Sequence, residues 1–431
     1  MGEGTGWFSN ASHRWRRLLV LAVVAAVALA ATAARLPTEA APVEPTAQAQ
    51  VVQRDQMAQS DQANQIIALV RDGLEKYHLN AVIVRVTVDG QEVVTAAFGE
   101  SMTGVPATTD MHFRNGAVAI SYVSTLLLTL VDDGVLGLDD PLSLWMPELV
   151  NADKVTLRML ANMTSGYRDY ETDEQFNKDL YINPFRQWTP EELIAIGLSE
   201  PPYFEPGTNW SYGHTNYVIL GEVLERATGR PVVDLLQEHV LDPLGLTNTA
   251  NSFTPAIPEP ALHAFSSERR AALGIAPDTP FYEESTYWNP SWTITHGAIQ
   301  TTNIYDMTAT AVAIGEGTLL SRESYQAMTG PNLLGFGAPL AGCPTCHTLD
   351  TMYNYGLGVV RSGNWLLQNP LFYGYAAVEG YLPAKKIAIA VAVTYGEGAF
   401  DAQGNYANRG DTLFREIATL LAPDDTPPTS K

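Results

Sequence analysis

The chain of 431 residues predicts an α+β fold, an antiparallel sheet assembled from both chain ends, flanked by helices and carrying a helical subdomain. Three observations lead there. β-prone runs stand near the start and again near the end of the globular part. A long, mostly helical stretch separates them. No internal repeat points to a solenoid or an array.

In chain order, "QMAQSDQANQIIALVRDGLEKYHL" spaces its apolar residues as a helix that ends near Asn80. "AVIVRVTVDGQEVVTAAFG" alternates on both sides of Asp89-Gly90, a strong two-residue hairpin signal. From Phe113 to about Arg270 the pattern is helical with Pro- and Gly-rich loops. There, Thr189 and Glu192 form a capping-box pair and Gly229 is placed to end a helix. "TTNIYDMTATAVAIGEG" is a further helix with Thr at its entrance. The late runs "YNYGLGVVRS", "NWLLQNPLFYGYAAV" and "KKIAIAVAVTY" read as short strands, and "GDTLFREIATLLA" as the closing helix. A cleft between the sheet edge and the helical part is the default binding site.

Composition narrows the function. An apolar fraction of 46% with 17% charged residues describes a globular chain. A formal charge of −22 would repel a phosphate backbone, so no nucleic-acid partner is expected. "HRWRR" (His13 to Arg17) followed by the apolar Leu18 to Ala34 has the form of an export signal. Residues 1–34 are therefore expected to be a signal peptide or an uncleaved membrane anchor, and both readings stand. Export places the rest outside the cytoplasm, secreted or anchored, with membrane contact only through that segment. Residues 35–62 read as a disordered Pro/Ala/Gln-rich linker, 63–422 as the folded domain, and 423–431 as a disordered tail.

Cys343 and Cys346 lie in "GCPTCH". In an exported chain a small loop-closing disulfide is the first reading. Zinc needs more ligands than the sequence offers nearby. Haem attachment through C-x-x-C-H lacks a helical haem-domain pattern around it. Neither a cofactor nor a metal is expected.

The motifs "FRNGAVAISYVSTLLLTLVDDGVLGLDDP", "VTLRMLANMTSGYRDY", "FEPGTNWSYGHTNYVILGEVLERATGRPVVDLLQEHVLDPLGLTNT", "YGLGVVR" and "YGYAAVEGY" follow one another in a familiar order. In this respect the chain resembles the serine β-lactamase and penicillin-binding-protein family. The likeness is to the branch of class C β-lactamases, D-alanyl-D-alanine carboxypeptidases and esterases, and it covers nearly everything after residue 62. The resemblance implies a Ser nucleophile with a Lys three residues on, one helical turn away on the same face. Here those positions hold Ala117 and Ile120. The family's Y-x-N maps onto Tyr212-Gly213-His214, and its K/H-T/S-G onto Tyr375-Ala376-Ala377.

Only Tyr212 keeps a recognisable catalytic side chain, and it is expected to titrate near 10, too high for a base at neutral pH. His214 reads either as a base for some other chemistry or, the safer of the two, as a neutral hydrogen-bonding group of the pocket. The backbone N–H of Ala117 and one from an open edge strand near Ala377 would remain as an oxyanion hole. The expectation is a catalytically inactive member that binds a cell-wall peptide or a protein partner. Its pocket would be aromatic and uncharged, lined by Ala117, Tyr212, His214, Tyr375 and Ala377. The alternative is an active carboxypeptidase or esterase with a displaced nucleophile. Ser121, four residues after Ala117, is the candidate, set against a helix Ser that bonds back to the preceding turn.

Overall fold

A computed structural model describes residues 47–429 except Ser252, His296, Gly297, Ile299 and Pro331, with side chains from residue 60 onward apart from Gln300. The expected export segment lies outside the described residues. The chain divides after Val52 into two compact units, and apart from the start of the first helix everything below concerns the second, Gln53–Lys431.

Helix α1 runs Ala47–Lys76, so the second half of the expected linker is helical. Ala and Gln are good helix formers, which the linker reading overlooked. Strands β1 (Leu79–Val88) and β2 (Gln91–Met102) form the hairpin turned at Asp89-Gly90, both with positive φ. A short strand β3 (Val105–Pro106) extends it. Late in the chain come β4 (Asn354–Tyr355), β5 (Val360–Ser362), β6 (Trp365–Gln368), β7 (Leu371–Phe372), β8 (Tyr375–Leu382) and β9 (Ile387–Tyr395).

These nine strands make one antiparallel sheet in the order β3-β2-β1-β9-β8-β6-β5-β4, with β7 folded onto β8. The crossing is between β1 and β9, paired from Leu79↔Tyr395 to Val88↔Ile387, so the two chain ends meet at the centre of the sheet. Both strands are almost wholly buried, because helices cover the sheet on two sides.

One covering layer holds α2 (Ala119–Asp132) and, later in the chain, α4 (Ile304–Glu316); α3 (Thr215–Thr228) packs beyond α2. The opposite layer includes α5 (Arg409–Leu421), whose Gly410 lies against Ala376 and Val378 of β8. Pro190–Gly197 is a helix with the full Thr189/Glu192 capping box, and Gly229 ends α3 in the left-handed region. The cap of α4 is Asn303, whose Oδ1 accepts from Tyr305 and Asp306 N–H, in place of the expected Thr. The expected tail is partly ordered: Pro423–Asp425 forms a 3-10 turn, and the Asp425 carbonyl accepts from Trp365 Nε1 at 2.7 Å. Among the described residues no helix is long and apolar enough to cross a membrane.

Candidate functional site

Gly116–Val118 form a 3-10 turn that feeds α2, and Ala117 stands half-buried at its centre. Gly116 has φ 53°, and a Cβ there would meet Pro370 at 2.9 Å and Phe372 at 3.2 Å. Only glycine lets the turn press this closely on the segment that carries β7. Ile120, on the next turn, is fully buried. Ser121 is also fully buried, and its Oγ donates to the Val118 carbonyl at 2.6 Å. That geometry is a helix serine bonded back to its own turn, shut away from any incoming carbonyl.

The start of β8 differs from the sequence reading. Leu371 pairs with Ala376 and Phe372 with Tyr375, so β7 covers the edge on which a substrate backbone was expected to pair. The turn between them, Tyr373-Gly374, has φ of 50° and 81°, which suits the right-handed twist of a two-residue hairpin. Tyr375 is buried and its hydroxyl donates to the Leu262 carbonyl at 2.6 Å, so it lines no open pocket. Ala376 faces Gly410 of α5, and Ala377 is buried. Of the five expected lining residues, only Ala117 and Tyr212 keep partly open surface.

Aromatic side chains occupy the space in front of β7. Phe372 stacks on Trp292 with ring centres 5.9 Å apart, and Tyr373 lies 5.5 Å from the same indole. Trp292 also meets His214 at 6.0 Å, and Tyr212 stands edge-on to His214 at 5.2 Å. Such rings bury large areas and prefer these tilted contacts.

His214, immediately before α3, is the centre of this group and is not a neutral pocket residue. Its Nδ1 lies 3.1 Å from Asp169 Oδ2 and 3.4 Å from Glu171 Oε2. Burial works against the imidazolium, but the Glu171 and Asp169 carboxylates outweigh it and lift the pKa to about 9. Burial raises Glu171 to about 7 against the pull of His214. The expected uncharged pocket is therefore a charged one. Asp169 is fixed because Oδ1 also accepts from the Glu171 N–H at 3.3 Å, capping the turn Tyr170–Thr172. Asp169 and Glu171 were missed by sequence reasoning, although both belong to or adjoin the quoted "SGYRDY" segment. An Asp-x-Glu pair on a loop gives no sign of which residue 45 positions away it will meet.

Asp169, Glu171 and His214 each offer one ligand atom, all within 4.8 Å, and are the described group that could hold a cation. In the structure the imidazole nitrogen serves the two carboxylates. Burial, with Tyr353 and the nearby carboxylates adding to it, pushes the Tyr212 phenol well above its ordinary 10. As a base it is weaker still than the sequence implied.

Cys343 and Cys346 are joined as a disulfide, which leaves no thiol for haem or zinc. The loop they close grips the Tyr212 segment. Cys346 forms a β-bridge with Ser211, and Thr345 Oγ1 meets Ser211 Oγ at 2.7 Å and donates to the Tyr212 carbonyl at 3.2 Å.

The family model described as Beta-lactamase matches residues 66–414. The D-alanyl-D-alanine-carboxypeptidase/endopeptidase AmpH of Escherichia coli (strain K12) is 27% identical over 194 residues, 43% of this chain and 49% of that protein. The D-aminopeptidase of Brucella anthropi is 29% identical over 182 residues, 42% of this chain and 34% of that protein. The chain thus spans about half or less of the length of these curated relatives. Among solved structures, the D-amino acid amidase from Ochrobactrum anthropi SV3 complexed with D-phenylalanine superposes with a TM-score of 0.69 at 22% identity, covering 84% of this chain and 99% of that one. The octameric penicillin-binding protein homologue from Pyrococcus abyssi gives 0.66 at 19% identity, covering 85% and 79%. At these identities the structures speak for the fold.

Proposed function

This chain belongs to the beta-lactamase family, and we propose that it is an exported member which has lost acyl-transfer chemistry and now acts by binding. Its relatives include serine hydrolases named as carboxypeptidase, D-aminopeptidase and esterase. The observation that carries the reading is Ala117, with Ile120 after it, where the resemblance implies the nucleophile and its Lys. Removing the nucleophile of a serine hydrolase costs on the order of a millionfold in turnover, and further losses in the same unit add little.

Three structural features support it. Ser121 is buried and its hydroxyl is committed. The edge of β8 is paired with the chain's own β7. Rings of Phe372, Trp292 and Tyr212 crowd the approach to His214. The binding partner is a cell-wall peptide or a protein that docks without a free carboxylate, because Asp169 and Glu171 oppose one. Export rests on the charged-then-apolar N-terminal pattern and agrees with the Cys343–Cys346 bond.

The test is intact mass of the purified protein before and after incubation with a fluorescent penicillin and with a fluorophosphonate. No adduct on folded protein is expected. A stoichiometric adduct on any serine would overturn the reading and identify the nucleophile.

A further inference from the structure

Glu268 follows the short strand Phe265–Ser266, and its half-buried carboxylate accepts from Ser266 Oγ at 2.7 Å and from the Tyr406 hydroxyl at 3.3 Å. Both donors are neutral. The nearest cations in sequence are committed elsewhere: Arg269 pairs with Glu283 at 3.0 Å, and Arg270 donates to the carbonyls of Ala276 and Thr279. Among the described residues no ion pair includes Glu268.

The same carboxylate opens on a cavity of about 340 Å³, a volume within the range of small-molecule sites. Tyr181, Tyr406 and Leu371 supply apolar and aromatic surface, and Gln403 and Asn405 supply amides. None of the lining side chains is basic. The buried Tyr373 phenol lies within electrostatic reach of Tyr181 and Glu268. Burial lifts the Glu268 carboxyl to about 7, which is the cost of holding a negative charge here without a counter-ion.

We propose that the cavity beside Glu268 is a binding site for a small molecule bearing a protonated amine. The ammonium group forms a charge-assisted hydrogen bond to Glu268, and the tyrosine faces hold the apolar part of the ligand. A carboxylate ligand is repelled by Glu268, and a divalent cation would find one carboxylate where it needs several oxygen ligands. The net charge of −22 raises the local concentration of cationic ligands. Ala117 and Tyr212 do not line this cavity, and the proposal stands whether or not acylation is lost.

Phenethylamine is the probe, titrated calorimetrically into the purified protein at pH 8, with 2-phenylethanol as its neutral counterpart. Saturable binding of the amine is expected, with the alcohol at least about tenfold weaker. Glu268→Gln should weaken the amine by a similar factor while leaving the alcohol unchanged. Ala272→Trp, which fills the cavity without touching the carboxylate, should abolish binding of both and keeps the test alive if Glu268→Gln misfolds. Equal affinity for amine and alcohol, undiminished amine binding by Glu268→Gln, or no saturable binding would overturn the proposal. The readout is direct binding, so it is independent of any adduct seen with penicillin or fluorophosphonate.

Discussion

His214 Nδ1 sits 3.1 Å from Asp169 Oδ2, and both side chains are almost fully buried. The resemblance puts a neutral amide at the His214 position, so a hydrogen-bonding group has become half of an ion pair. A buried pair of this kind holds its two loops in register because neither charge can be left alone. Asp169 arrives on the segment before the turn Tyr170–Thr172, and His214 on the entry to α3.

The first prediction concerns pH. An ordinary histidine titrates near 6.5, and His214 in the fold near 9. A raised cationic pKa gives stability that is complete below 6.5 and is lost as pH rises through 9. Glu171, raised to about 7, acts in the same sense, losing stability between about 4.5 and 7. Thermal unfolding should therefore show a falling Tm from pH 6 to pH 9.5. In His214→Asn the segment above pH 7 should flatten. Parallel curves for the two proteins would refute the assignment of charge to His214.

The second prediction is energetic. His214→Ala strands Asp169 in the interior and should cost about 3 kcal/mol, as loss of one partner from a buried pair does. Asp169→Asn with His214→Asn removes both charges and should cost less than either single change summed with the other. Urea unfolding of the parent, Asp169→Asn, His214→Asn and the double variant measures the coupling. Strict additivity would show that the pair does not act as one.

What could be read from the sequence was local. The Asp89-Gly90 hairpin, the Thr189/Glu192 capping box and the Gly229 stop each involve neighbours a few residues apart, where backbone sterics and one hydrogen bond decide the outcome. Ala117 and Ile120 were assigned by motif order alone, at the entrance and on the first turn of a helix that the sequence did announce. The fold-back of β7 onto β8 was not, since Tyr373-Gly374 has no Asn or Asp to announce a hairpin turn. The charge state of His214 was not legible either. It depends on Asp169 meeting it across 45 residues, on Glu171 beside it, and on burial that a sequence does not display.

A third prediction tests the proposed loss of the nucleophile at Ala117. Ala117→Ser restores a hydroxyl but no base, because Ile120 is apolar and the Tyr212 phenol holds its proton well above pH 10. No acyl adduct with a fluorescent penicillin is expected for this variant by mass spectrometry. Ser121→Ala should leave any weak labelling unchanged and alter stability by about 1 kcal/mol, the net worth of one hydrogen bond. Robust acylation of Ala117→Ser would mean that a base is present and was overlooked.

A fourth prediction follows from the grip of the Cys343–Cys346 loop on Ser211 and Tyr212. Closing so short a loop restricts the unfolded chain modestly, about 2 kcal/mol on the chain-entropy view. Cys343→Ser with Cys346→Ser should lower Tm by about 2–3 °C in a protein of this size. It should also loosen the Tyr212 segment, read as faster amide exchange at Tyr212 than at the centre of β9. Unchanged exchange at Tyr212 would show that Thr345 alone secures the segment.

The last prediction turns on Glu379, which lies on β8 with 2% of its surface exposed and its Oε2 without a hydrogen-bond partner. Burial holds its carboxyl well above the usual carboxylate range. A raised carboxyl pKa reverses the familiar acid effect: the protonated form suits the fold, so stability is lost as pH rises above the unfolded value near 4.5. Glu379→Gln keeps the shape and removes the titration. Its stability advantage over the parent should therefore be small at pH 5 and grow toward pH 8, by up to about 1.4 kcal/mol per pH unit. Urea unfolding at pH 5, 6.5 and 8 measures the difference. A constant gap across the three would mean that Glu379 is already ionised and paired in the fold. A gap that widens with pH would identify it as a neutral acid in the sheet interior, a penalty on the folded state that grows as the medium becomes more alkaline.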